Sequence, residues 1–131
     1  MNRVESYWNL HKQVFSVRAI DGPNKGRVIL HTHNQGMTDV TFAVQPAGRA
    51  KVLKEQKKNV HAFVRGRLDH YRWDPMDEYL REDKLTRITY NPYKYDSFVD
   101  PAGKPVHRAD WVALVTDAET GRARILALNP S

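Results

Sequence analysis

The sequence contains no cysteine, so it can form neither a disulfide framework nor a thiolate metal site. It also has no apolar run near the roughly 18 residues that a membrane-spanning helix needs. The first ten residues, MNRVESYWNL, lack the continuous apolar stretch of a secretory signal. These absences predict a protein that acts in the cytoplasm and does not cross a membrane.

Several enzyme signatures are missing as well. The sequence has no GxxxxGK[ST] phosphate-binding loop, no GxSxG motif and no GxGxxG that follows a strand. Without cysteine there is no thiol nucleophile. These absences favour a binding protein over an enzyme, and we expect no cofactor.

Basic residues are concentrated in one part of the chain. A chain of 131 residues is long enough for one domain, which we predict over 1–131. Its net charge is +6. Residues 49–67 hold seven Lys and Arg against the single acid Glu55. Such a local field attracts polyanions, although a solvated lysine-rich helix would give the same pattern.

Most of the chain has the apolar alternation of β-strands. Strands are predicted over 27–33, 38–45 and 59–68, with 34–36 closing the first of them. The alternation breaks within 6–20, and a turn or a bulge near 11–13 would repair it and give two short strands. Further strands are predicted in the segments TRITY, DSFVD, DWVALVTD and ARILAL, the last two forming a hairpin.

Two short helices interrupt the strands. Pro46 at a first helical position begins one near 46–58, and Asp74 with Pro75 begins another near 75–84. The order predicts an α+β fold with a mostly antiparallel sheet, open or partly closed. The residues expected to be buried are Val40, Phe42, Val44, Val60, Ala62, Val64, Trp111, Val112, Leu114, Ile125 and Leu126.

The stretch KNVHAFVRGRLDHYRW at 58–73 places four chemically useful side chains on one strand face. Phe63 and His61 could stack on bases while Arg65 and Arg67 hold phosphates. The stretch does not match the signature of the RNA-recognition motif, so we reject the RNA-recognition-motif fold. The full candidate surface for nucleic acid or an acidic partner is Arg49, Lys54, Lys57, Lys58, His61, Phe63, Arg65 and Arg67. A covered sheet face is the alternative interpretation.

The histidines suggest two further kinds of site. His31 and His33 share a strand face, but no third ligand lies nearby in the sequence, so we expect no metal. A metal-independent nuclease could use His31, His61 and Arg65 if the strands 27–33 and 59–68 are neighbours. This small nuclease is the alternative function.

Four segments resemble a family of small uncharacterised proteins encoded by phages, prophages and plasmids: YWNLHK followed by FSVR, FAVQPAGR, NVHAFVRG and TYNPYK. The resemblance implies a setting, the cytoplasm of a bacterial host, and no particular fold or activity. It favours an accessory protein that binds nucleic acid or a host protein complex, or one that inhibits a host defence or transcription complex by protein contacts. The oligomeric state and the ligand stay open.

Overall fold

A computed structural model describes residues 3–9, 12–57, 60–69, 85–116 and 120–131. Strands dominate these residues. In chain order the elements are β1 (Arg3–Asn9), β2 (Val14–Ala19), β3 (Val28–Thr32), β4 (Asn34–Val44), α1 (Pro46–Glu55), β5 (Ala62–Asp69), β6 (Thr86–Ile88), β7 (Phe98–Val99), β8 (Pro105–Val106), β9 (Arg108–Thr116) and β10 (Ala123–Leu128).

Eight of the strands form one sheet in the order β3-β2-β1-β5-β4-β9-β10-β6. Every neighbouring pair in it is antiparallel, which confirms the predicted sheet type. Strands β3 and β6 are its two edges, so the sheet is open rather than closed. Strands β7 and β8 pair separately. The helix expected near 75–84 lies outside the described residues.

The break in alternation near the N-terminus is a turn, as predicted. Gln13 has a φ of 53°, and its N–H donates to the carbonyl of Asn9 at 2.8 Å. The turn sets Trp8 opposite Phe15, with the ring centroids 5.2 Å apart. Phe15 and Val17 of β2 are buried, and Trp8 of β1 packs partly buried against the same core.

Strand β4 begins earlier than the sequence predicted. The expectation that 34–36 closes a strand is wrong, because Asn34 pairs with Val115 of β9. Further along β4 the register shifts at a bulge where Asp39 has a φ of 51°. The bulge lets both Met37 and Val40 reach the core, at 0% and 2% exposure, although their spacing breaks the strand alternation.

Strand β9 is covered on both faces. Val112 and Leu114 belong to the main core cluster, whereas Trp111 packs in a second cluster on the opposite face. Most of the predicted core is buried, and Val44, Ala62 and Ile125 are partly buried against it. Val60 is the exception at 45% exposure, because β5 begins only at Ala62.

Helix α1 is shorter than predicted and ends at Glu55 instead of residue 58. Gln56 adopts a left-handed conformation with a φ of 53°, and its N–H caps the helix by donating to Val52. Pro46 lies in the first turn, as expected. In the described part of the chain, no helix combines the length and the apolar character needed to span a membrane.

Gly48 in the first turn of α1 is required by close packing. A Cβ at this position would lie 2.5 Å from the Cβ of His61. Alanine normally stabilises a helix by about 1 kcal/mol relative to glycine, but overpacking costs about 1–3 kcal/mol. We therefore expect Gly48→Ala to lower the free energy of unfolding by up to about 2 kcal/mol in urea denaturation. Ala50→Gly in the same helix is the control and should show the ordinary propensity cost, whereas a more stable Gly48→Ala protein would contradict the packing.

Candidate functional site

The four side chains that the sequence placed on one strand face have different environments. Phe63 and His61 are buried, at 3% and 5% exposure, whereas Arg67 is exposed and Arg65 is half-buried. The expectation of an exposed aromatic platform is therefore corrected. A base has no open ring face at Phe63 on which to stack.

Side chains from two other strands cover Phe63. The ring of Tyr7 from β1 meets it edge-on, with centroids 6.0 Å apart. The guanidinium carbons of Arg18 from β2 and Arg65 lie 5.4 and 5.9 Å from its centroid. Cations over an aromatic face are attracted by the ring quadrupole. The outer sheet face is thus built from β2, β1 and β5 together.

A buried carboxylate holds two of these arginines in place. Glu5 of β1 is 5% exposed and pairs across the sheet with Arg18 on one side and Arg65 on the other. Its Oε1 accepts hydrogen bonds from Nε and a terminal nitrogen of Arg18, and its Oε2 accepts from Nε of Arg65 at 3.0 Å. The side chains of Arg18 and Arg65 remain 34% and 37% exposed. Each guanidinium is therefore fixed on one side and open to solvent on the other.

A second pair of arginines lies on the same face. Arg3 of β1 is directly opposite Arg67 of β5, two residues along from the Glu5–Arg65 pair. Arg3 is exposed, and Arg67 is 3.8 Å from the exposed carboxylate of Asp39. We call Arg3, Arg18, Arg65 and Arg67 the arginine face. Sequence reasoning missed Arg3, Glu5 and Arg18, and the available signal was the charged pair Arg3 and Glu5 at alternate positions of β1.

The other predicted basic residues belong to α1 and to the segment that follows it. Arg49 turns to the loop before β7, where its Nε donates to the carbonyls of Pro92 and Tyr95 at 3.1 and 3.0 Å. Lys54 and Lys57 are exposed, and Lys58 lies outside the described residues. Strand β5 leads away from the helix, so Arg67 is about 17 Å along the strand from Ala62. One surface shared by these lysines and Arg67 therefore stays a prediction.

His61 takes part in a polar contact beneath α1. Its Nε2 is 2.7 Å from the hydroxyl of Tyr90, and the two rings meet edge-on. Burial raises the pKa of the Tyr90 hydroxyl above its usual value, and the nearby Arg49 guanidinium partly opposes that rise. The hydroxyl is therefore protonated at neutral pH and can share its hydrogen bond with the imidazole.

The proposed nuclease residues are not brought together. Strand β3, which carries His31, is separated from β5 by β2 and β1, about 14 Å at ordinary strand spacing. His31 instead contacts Ser16 Oγ at 2.9 Å and Lys12 Nζ at 3.3 Å. The condition for the alternative nuclease, that the strands 27–33 and 59–68 are neighbours, is therefore not met. Among the residues that the structure describes, no cluster of three or more His, Asp or Glu could hold a metal.

Comparisons with known proteins agree with the resemblance to phage proteins. A family model described as "Mycobacterium phage L5 gene 82 protein" matches residues 1–122. The gene 82 protein of Mycobacterium phage L5 is 38% identical over 104 residues, which cover 74% of this chain and 76% of that protein. No solved structure gives a significant match. The chain belongs to the phage protein family of the mycobacteriophage L5 gene 82 protein.

Proposed function

We propose that this phage protein binds nucleic acid in the cytoplasm of the bacterial host, contacting backbone phosphates through the arginine face. The observation that carries the proposal is the directly opposed pair Arg3 and Arg67. Like charges opposite each other destabilise a sheet. A phosphate between them would replace that repulsion with two charge-assisted hydrogen bonds.

The environment of Phe63 favours contact with phosphates over contact with bases. Its ring is covered by Tyr7, Arg18 and Arg65, so it offers no stacking surface. Each guanidinium carries five N–H donors, more than the shared Glu5 carboxylate can use. Phosphate contacts carry no sequence information. Single-stranded and double-stranded nucleic acid should therefore bind alike, with little dependence on sequence.

The test removes Arg67, whose only described ion pair is the long, exposed contact with Asp39. Fluorescence anisotropy with labelled oligonucleotides should show micromolar binding in low salt that weakens steeply as salt rises. Arg67→Ala should weaken binding roughly three- to tenfold in low salt and reduce the salt slope by about one, because one phosphate contact is lost. The effect should be the same for both strand forms.

The matched control is Arg87→Ala, which removes an exposed arginine from β6, a strand that carries none of the residues of the arginine face. It should leave both the affinity and the salt slope nearly unchanged. All titrations are run in EDTA, and recovery of intact oligonucleotide is checked. Absence of binding at micromolar protein in low salt would refute the proposal, and cleavage in EDTA would favour a nuclease instead.

A further inference from the structure

Strand β3 is an edge of the eight-stranded sheet and presents an apolar surface. Its Val28, Ile29 and Leu30 are 42%, 43% and 39% exposed. Among the residues that the structure describes, no strand pairs with the outer side of β3, so the backbone N–H and C=O groups on that side have no neighbouring strand. Such an edge is a template on which another extended segment can pair.

The two edges of the sheet differ in how they are protected. Strand β6 has only three residues and carries the exposed Arg87, and short charged edges resist pairing. Strand β3 contains neither proline nor a Lys, Arg, Asp or Glu side chain. Its register with β2 shifts opposite Val17 and Arg18. From Leu30 to Thr32, β3 pairs with β2 in regular register.

The surroundings of β3 are basic. The segment 12–33 contains four Lys and Arg residues against the single acid Asp21. The exposed Arg27 directly precedes Val28 at one end of β3, and Lys12 Nζ is 3.3 Å from His31 Nε2 near the other. Asp21 instead accepts a hydrogen bond from the backbone N–H of Arg3 at 3.0 Å. Both ends of the apolar edge therefore attract negative charge.

We propose that β3 is the docking edge for an extended acidic segment of a partner protein, which adds to the sheet as a further strand. Backbone hydrogen bonds and the aliphatic side chains would supply affinity, and the basic flanks would select acidic residues. A second copy of this chain is disfavoured, because antiparallel self-pairing would bring the basic flanks of both copies together. The proposal does not depend on nucleic-acid binding.

The test follows the backbone amides of isotope-labelled full-length protein by NMR. The probe is a synthetic peptide of alternating valine and glutamate, and the comparison peptide alternates valine and lysine. We expect the glutamate peptide to shift amides of β3 and its flanks and the lysine peptide to leave them unchanged. The double variant Ile29→Gln, Leu30→Gln should weaken peptide binding at least fivefold. The control is Val60→Gln, which changes an aliphatic residue that is 45% exposed and lies outside β3. This variant should bind the glutamate peptide as the wild type does.

Three outcomes would overturn this inference. Equal binding of the lysine peptide would show that charge does not select the partner. Shifts centred away from β3 would place the interface elsewhere. If sedimentation instead shows that the wild type dimerises as its concentration rises and that the double variant does not, then β3 pairs with a second copy of this chain. Oligonucleotide titration of the double variant checks the proposed function separately, and its affinity should match the wild type.

Discussion

Phe63→Ala is expected to lower the free energy of unfolding by about 3–5 kcal/mol, the usual cost of removing a buried aromatic ring. Phe63 is 3% exposed and packs against Tyr7 while two guanidinium groups lie over its ring. Truncation would leave a cavity and remove the surface on which Arg18 and Arg65 rest. Urea denaturation measures the loss.

The control for this substitution is Tyr93→Ala, at an aromatic residue 59% exposed, which should change stability by no more than about 0.5 kcal/mol. A second measurement separates the buried ring from a stacking platform. Under conditions where Phe63→Ala is folded, any change in affinity should be equal for single and double strands. Normal stability together with a selective loss of single-strand binding would show that the ring is available to bases.

Glu5→Ala should also be strongly destabilising, by about 2–4 kcal/mol. Removing one partner of a fully buried ion pair costs about 3–5 kcal/mol, because the remaining charge is left without compensation. Arg18 and Arg65 are about one-third exposed, so water would partly solvate them and the cost is reduced. Thermal or urea denaturation at neutral pH gives the difference from the wild type.

Two variants test whether the effect belongs to the shared carboxylate. Glu5→Gln keeps the shape and one acceptor oxygen, so it should lose less stability than Glu5→Ala. Asp39→Asn removes a carboxylate that is 75% exposed and 3.8 Å from Arg67 and keeps a residue suited to the left-handed backbone there, so it should change stability by less than about 1 kcal/mol. If Glu5→Ala were no more harmful than Asp39→Asn, Glu5 would not organise the arginine face.

The sequence predicted those parts of the fold that depend on local alternation. Phe42 and Val64 are buried as expected, and Trp111 and Val112 are both buried because β9 is covered on its two faces. Local patterns failed where long-range pairing decides the structure. The turn signal of 34–36 is overridden by pairing with β9, and the bulge at Asp39 shifts the alternation within β4.

The candidate site was predicted only in part for the same reason. Alternation correctly put Phe63, Arg65 and Arg67 on one side of β5. It could not reveal that β1 and β2 lie beside this strand and place Tyr7 and Arg18 against Phe63. Whether a side chain on the outer face of a strand is exposed or covered depends on the neighbouring strands in the sheet. Local sequence patterns do not predict the order of the strands.

The insertion of β5 beside β1 has a consequence for synthesis on the ribosome. The hydrogen bond from Arg65 to Glu5 joins residues 60 positions apart. At ordinary translation rates, roughly 3–12 s pass between the synthesis of Glu5 in β1 and that of Arg65 in β5, the strand that completes the pairing of β1. During that interval the chain can form β1, β2 and β3 but not the face that Arg65 and Arg67 complete. A product truncated before β5 would lack Arg65 and Arg67, half of the arginine face, together with the strands that complete the core around β1 and β2.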